Sequence, residues 1–134
     1  MIDAELSDFV RRYGEAFGAL DGAAVARLYA EPSAIVSDLG YTHWSSRAAV
    51  EANMRALCDL YRADGVTGVE GESKVCHRLG ASSAFIVVNW SLSRAAGTRN
   101  FSTAYNLGRI DGEWLVRLCT AFEERPLNRR GALE

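Results

Sequence analysis

Asp38 closes Ala34-Ile35-Val36-Ser37-Asp38, a short β-branched run that follows two helical segments. Strand side chains alternate, so Asp38 shares a face with Val36 and Ala34. If that face walls a pocket, the carboxylate is costly to bury and needs a reason; one reason is to take a proton from a carbon beside a carbonyl. If it does not, Asp38 ends a solvated strand or starts the turn at Leu39-Gly40. Asn106 shares a strand face with Ser102, Ala104 and Gly108, small residues of the kind a ligand cavity requires, and is otherwise a polar residue on an exposed face. His77 alternates with Val75, and nothing near it completes a metal set. Asn89 is polar on a strand face it shares with Phe85 and Val87. The chain has no Gly-rich phosphate loop, Walker sequence, Gly-x-Ser-x-Gly elbow or His-Glu-x-x-His, so neither a nucleotide cofactor nor a metal is implied. The chemistry these residues allow is cofactor-free.

The elements that must position them follow from periodicity. Ile2, Leu6, Phe9, Tyr13, Phe17 and Leu20 recur at steps of three and four, which predicts a helix over about residues 3–19. Asp21 caps a shorter helix carrying Val25, Leu28 and Tyr29, and Pro32 ends it. Residues 34–38 read as a strand and Gly40 as a turn. Ser45 or Ser46 caps a third helix through Val50, Met54, Leu57, Cys58 and Tyr61, ending near Asp64-Gly65. The period then changes from helical to alternating. Strands are expected at 66–79, 83–94, 99–110 and 113–122, joined as a meander whose last turn is Asp111-Gly112. Helices segregated from strands predict an α+β fold, three N-terminal helices packed into the concave side of a strongly curved antiparallel sheet, with a pocket between the two. One domain is expected over 1–123, with 124–134 as a tail; Leu133-Glu134 reads as a cloning scar.

Composition narrows the function classes. The chain has 134 residues, 49% of them hydrophobic and 24% charged, with a net charge of -2, enough for one domain with a real core. Lys74 is the only lysine and no basic stripe exists, which argues against nucleic-acid binding. No apolar run approaches membrane-spanning length, and the acidic, amphipathic N-terminus is unlike a signal peptide. Cys58, Cys76 and Cys119 are widely spaced, an odd set that suits buried free thiols in a reducing cytosol. A cytoplasmic location is the expectation.

Element order and length over roughly residues 3–123 resemble the NTF2-like superfamily of cystatin-like α+β cones, which includes the SnoaL-like polyketide cyclases and the ketosteroid isomerases. Arg12-Tyr13 resembles the Arg-Tyr that carries the isomerases' oxyanion-hole tyrosine, and Ala34-x-Val36-x-Asp38 resembles the strand of their general-base aspartate. Counting back from Asp111-Gly112, Asn106 falls where that family places a protonated aspartic acid. Phe122 falls at an aromatic pocket wall.

The resemblance implies a largely apolar pocket for a small organic molecule. Asp38 is then the base, with Tyr13 and Asn106 as donors to an enolate-like oxygen, in an isomerisation, cyclisation or dehydration. An amide cannot supply the short hydrogen bond of a carboxylic acid. Tyr13 also suits plain core packing, since it lies in the apolar stripe. Phe17 is placed on the pocket wall. His43 and Trp44 fall where many NTF2-like proteins place pocket-mouth residues, and are otherwise packing ahead of a helix cap. A non-catalytic, dimeric ligand-binding or accessory module of the same fold is the alternative. An outer sheet face of Phe101, Thr103, Tyr105, Arg117 and Cys119 is expected to pair two copies.

Overall fold

The computed structural model describes residues 3–123, and the expected C-terminal tail lies outside the described residues. Three helices, α1 (Ala4–Gly18), α2 (Gly22–Ala26) and α3 (Arg47–Ala63), pack on one six-stranded sheet. Its strands are β1 (Tyr29–Ser37), β2 (Gly40–Trp44), β3 (Val66–Arg78), β4 (Ser83–Arg94), β5 (Arg99–Ile110) and β6 (Glu113–Phe122), in the order β2-β1-β6-β5-β4-β3. This is the expected α+β cone. No helix among the described residues is long and apolar enough to cross a membrane.

Each helix starts at a side chain that satisfies its orphan amides. Asp3 accepts from Glu5 N and Leu6 N, Asp21 from Ala24 N and Ser46 from Ala49 N. The α1 stripe Leu6, Phe9, Val10, Tyr13, Ala16 and Phe17 is buried against the sheet. Gly22 lets α2 meet α3: a Cβ there would stand 2.6 Å from the Arg55 backbone nitrogen, which cannot give way. At the other end of α1, Trp114 lies under the guanidiniums of Arg78 and Arg109, 5.0 and 5.5 Å from its ring centre. Both arginines pair with Glu5, Arg78 also with Asp3, and the Trp114 indole N–H donates to Glu5, so the start of α1 is tied to three strands.

Three local expectations are corrected. Leu28 and Tyr29 are not helical; α2 stops at Ala26, and Tyr29 opens β1. Pro32 therefore stands inside a strand rather than ending a helix. It is tolerated because pairing with β2 begins only at Ser33 and the register with β6 shifts between Tyr29 and Ala34, so no ladder bond needs its missing N–H. Second, residues 40–44 form a strand, pairing Ser33 with Trp44 and Ser37 with Gly40, which leaves Asp38-Leu39 as the hairpin turn. Third, the sheet is not wholly antiparallel: β1 runs parallel to β6.

Candidate functional site

Between the helices and the concave face lies a cavity of about 570 Å³, within the range of small-molecule sites. Its walls are apolar. Phe17, Met54, Leu57 and Tyr61 come from the helices; Ile35, Val69, Leu92, Phe101, Ala121 and Phe122 come from the strands. Its rim carries the exposed residues Asp38, Leu39, Asn53 and Glu123, together with Arg99. Arg99 lies 3.6 Å from the Glu123 carboxylate.

Phenols form the floor. Tyr13 comes from α1, Tyr29 from the start of β1 and Tyr105 from β5, and all three are at most 3% exposed. The Tyr13 and Tyr29 hydroxyls share a hydrogen bond of 2.8 Å. The Tyr13 ring lies 5.0 Å from Tyr105 and 5.6 Å from Trp90, in tilted contacts. Two contacts fix Tyr29: the Arg47 guanidinium donates to its carbonyl at 3.0 Å, and Trp44 packs edge-on to its ring at 5.9 Å. Trp90 donates to the Thr103 hydroxyl at 2.7 Å. Its ring fits because Gly71, facing it on β3, has no side chain; a Cβ there would be 2.6 Å away.

Burial, the largest cause, holds all three phenols well above the ordinary tyrosine pKa. It also pushes the Cys119 thiol, beside Tyr29, up to about 12. At neutral pH the floor is therefore uncharged and made of proton donors. The carboxylates that line the cavity, Asp38 and Glu123, both stand at its rim. No group of His, Cys, Asp and Glu among the described residues could hold a metal ion.

The structure brings together Tyr13, Phe17, Asp38 and Phe122, all of which line the cavity. It does not bring in Asn106, His43 or Trp44. Asn106 is exposed on the opposite sheet face. On β5 the concave face must fill the space beneath α1, so Tyr105, opposite Ile86, and Thr103, opposite Val88, point inward and their neighbours point out. The parity expected for β5 is thus reversed, and Phe101, Thr103, Tyr105 and Cys119 wall the cavity instead of forming an outer face. His43 is exposed on β2, and Trp44 is buried behind Tyr29 without reaching the cavity. Tyr29, Trp90, Thr103 and Tyr105 escaped the sequence reading as site residues. The signal was there in the bulky alternation Phe101-x-Thr103-x-Tyr105 facing Ile86-x-Val88-x-Trp90.

The outer face that results has two cross-strand rows. One runs Val75, Val87, Ala104, Thr120, Val36, Tyr41; the other runs His77, Phe85, Asn106, Leu118, Ala34, His43. Arg117, expected on this face, is exposed and lies against Gly108.

Solved structures share this architecture. An NTF-2 like protein of unknown function from Shewanella oneidensis matches with a TM-score of 0.72 at 17% identity, over 87% of this chain and 95% of that one. A domain of unknown function with a cystatin-like fold from Nostoc punctiforme gives a TM-score of 0.76 at 19% identity, over 97% of this chain and 83% of that one. A putative calcium/calmodulin-dependent protein kinase type II association domain from Thiobacillus denitrificans gives 0.72 at 17% identity, over 93% and 99%. At such identities the likeness is one of fold. No curated protein matches the sequence. Residues 4–124 match the family model described as NTF2-like protein (DUF6841), and the chain belongs to that family.

Proposed function

We propose that this cone binds a small, largely apolar organic molecule between its helices and its sheet. The observation that carries the proposal is the cavity: about 570 Å³, walled by aliphatic and aromatic side chains and floored by protonated phenols. A hollow of this size with mostly apolar walls and a few polar groups is the usual form of a small-molecule site. Filling it tests the reading. Ala121 is half-buried on the cavity wall. Ala121→Trp should weaken binding of an apolar probe such as isopropenylnaphthalene by about tenfold or more, with the unfolding midpoint nearly unchanged. Unchanged affinity would place the probe elsewhere and reject the cavity as the site.

A second reading, proton transfer, is favoured by one observation: Asp38 and Tyr13 line the same cavity. In it Asp38 removes a proton beside the ligand's carbonyl and the phenol floor receives the oxygen's developing charge, with no cofactor, in an isomerisation, cyclisation or dehydration. Asn106, on the outer face, has no part in it. Exchange of the ligand's α-protons with solvent separates this from the alternative, a module that binds and does not react.

Pairing of two copies through the outer face completes the proposal, with Val36, Val87 and Leu118 near its centre. These are half-buried residues on a sheet face that no helix covers among the described residues. Light scattering on a size-exclusion column should then give twice the monomer mass for the wild type and the monomer mass for Leu118→Arg. A wild-type monomer would reject the pairing.

A further inference from the structure

We infer that the Tyr105 hydroxyl seats a ligand carbonyl oxygen, so that the class of molecule this cone takes is an apolar ketone or aldehyde rather than a hydrocarbon. The inference rests on the cavity reading above and adds the polar contact within it. It comes from an account of the floor's donors. Trp90 spends its N–H on Thr103. Tyr13 and Tyr29 spend one of their two protons on each other. Tyr105 spends nothing among the described residues: its hydroxyl is buried, and although Tyr13 and Thr103 lie close enough to act on it electrostatically, neither meets it in hydrogen-bond geometry. The residue is 1% exposed and lines the cavity. A buried donor with no acceptor costs folding free energy, and such groups are rare enough to call for an explanation. A ligand's acceptor oxygen supplies one.

Thr103 supports the same seat. It stands two residues from Tyr105 on the same strand face and lines the cavity too. Its oxygen accepts from Trp90, which leaves its own proton to donate. Together the two residues offer two donors to one oxygen. No carboxylate stands among the floor residues, so an ammonium or other cationic head finds no counter-charge there.

The test compares methyl naphthyl ketone with isopropenylnaphthalene, in which a CH₂ group replaces the oxygen at nearly the same shape. The wild type should bind the ketone about tenfold tighter than the hydrocarbon. Tyr105→Phe should erase that preference and leave the hydrocarbon's affinity unchanged. A measurement on the wild type alone guards against a variant that fails to fold: the carbonyl stretch of the bound, isotope-labelled ketone should lie below its value in a hydrocarbon solvent. Equal affinities, a preference that survives Tyr105→Phe, or a carbonyl stretch at the hydrocarbon value would each overturn the seat while leaving the cavity reading intact. Failure of both probes to bind would overturn the two together.

Discussion

Above about pH 10 the three floor phenols, Tyr13, Tyr29 and Tyr105, should cost the folded protein about 4 kcal/mol of stability per pH unit, three protons' worth. The sign follows from the direction of the shifts. Burial raises all three phenol pKa values in the folded state, so the fold keeps three protons that the unfolded chain releases once pH passes the ordinary tyrosine value. Below that value both states hold the protons and these groups contribute no pH dependence. Above it each unit of pH favours the unfolded chain, until the folded-state pKa values are passed. Cys119, raised to about 12, adds in the same direction from the ordinary thiol value upward. With typical domain stabilities of about 5–15 kcal/mol, unfolding within a few pH units is the consequence.

In a spectrophotometric titration, the phenolate absorbance of the three floor tyrosines should appear in step with loss of near-ultraviolet dichroism. Their ionisation in a chain that remains folded would contradict the closed floor. Tyr105→Phe sharpens the test. It removes one of the three phenol protons and breaks no hydrogen bond among the described residues, so the slope should fall by about 1.4 kcal/mol per pH unit, one proton's worth, with stability at neutral pH equal or higher.

Asp38→Asn should slow exchange of a bound ketone's α-protons with solvent by about 10²–10⁴-fold, with little change in Kd. Asp38 is exposed at the cavity rim, in a turn braced by the Leu39 amide donating to Ser37 Oγ at 3.2 Å. The isosteric amide therefore leaves the fold and the apolar walls in place and removes only the base. The step balances: an Asp38 oxygen takes the α-proton, the C–H electron pair becomes the enolate C=C bond, and the carbonyl π pair moves to oxygen, where the floor donors meet it. Returning a deuteron from solvent regenerates the ketone. If wild type and Asp38→Asn both exchange at the buffer rate, the proton-transfer reading fails and the binding module stands.

Much of the architecture was legible because the forces that set it are local. The α1 stripe from Leu6 to Phe17, the caps at Asp21 and Ser46 and the Asp111-Gly112 turn all act within a few residues, and each stands where expected. The misreadings share a different cause, long-range pairing. Pro32 reads as a helix stop until the shifted register between β1 and β6 removes the need for its N–H. Gly40 reads only as a turn until Ser33–Ser37 gives residues 40–44 a strand partner.

The site divides along the same line. Tyr13, Phe17 and Phe122, read from motif and stripe, line the cavity, and Asp38 reaches its rim from the hairpin turn rather than from the strand face of Ala34 and Val36, which turns outward. Asn106 was misplaced because alternation gives two faces without saying which one turns inward, and the small residues beside it suggested a cavity. Bulk decided the question: under α1 the concave face needs Tyr105 and Thr103, while Ser102, Ala104 and Asn106 face away. The tyrosine cluster joins residues 13, 29 and 105, a long-range meeting that no local pattern encodes.

The most direct test of a ligand cavity inside this cone is a methyl NMR titration of the wild type with isopropenylnaphthalene. Met54, Leu57, Val69 and Leu92, which line the cavity, should shift together and saturably, while Val87 and Leu118 on the outer face stay still. Shifts confined to Val87 and Leu118, or no saturable shift at all, would contradict the account.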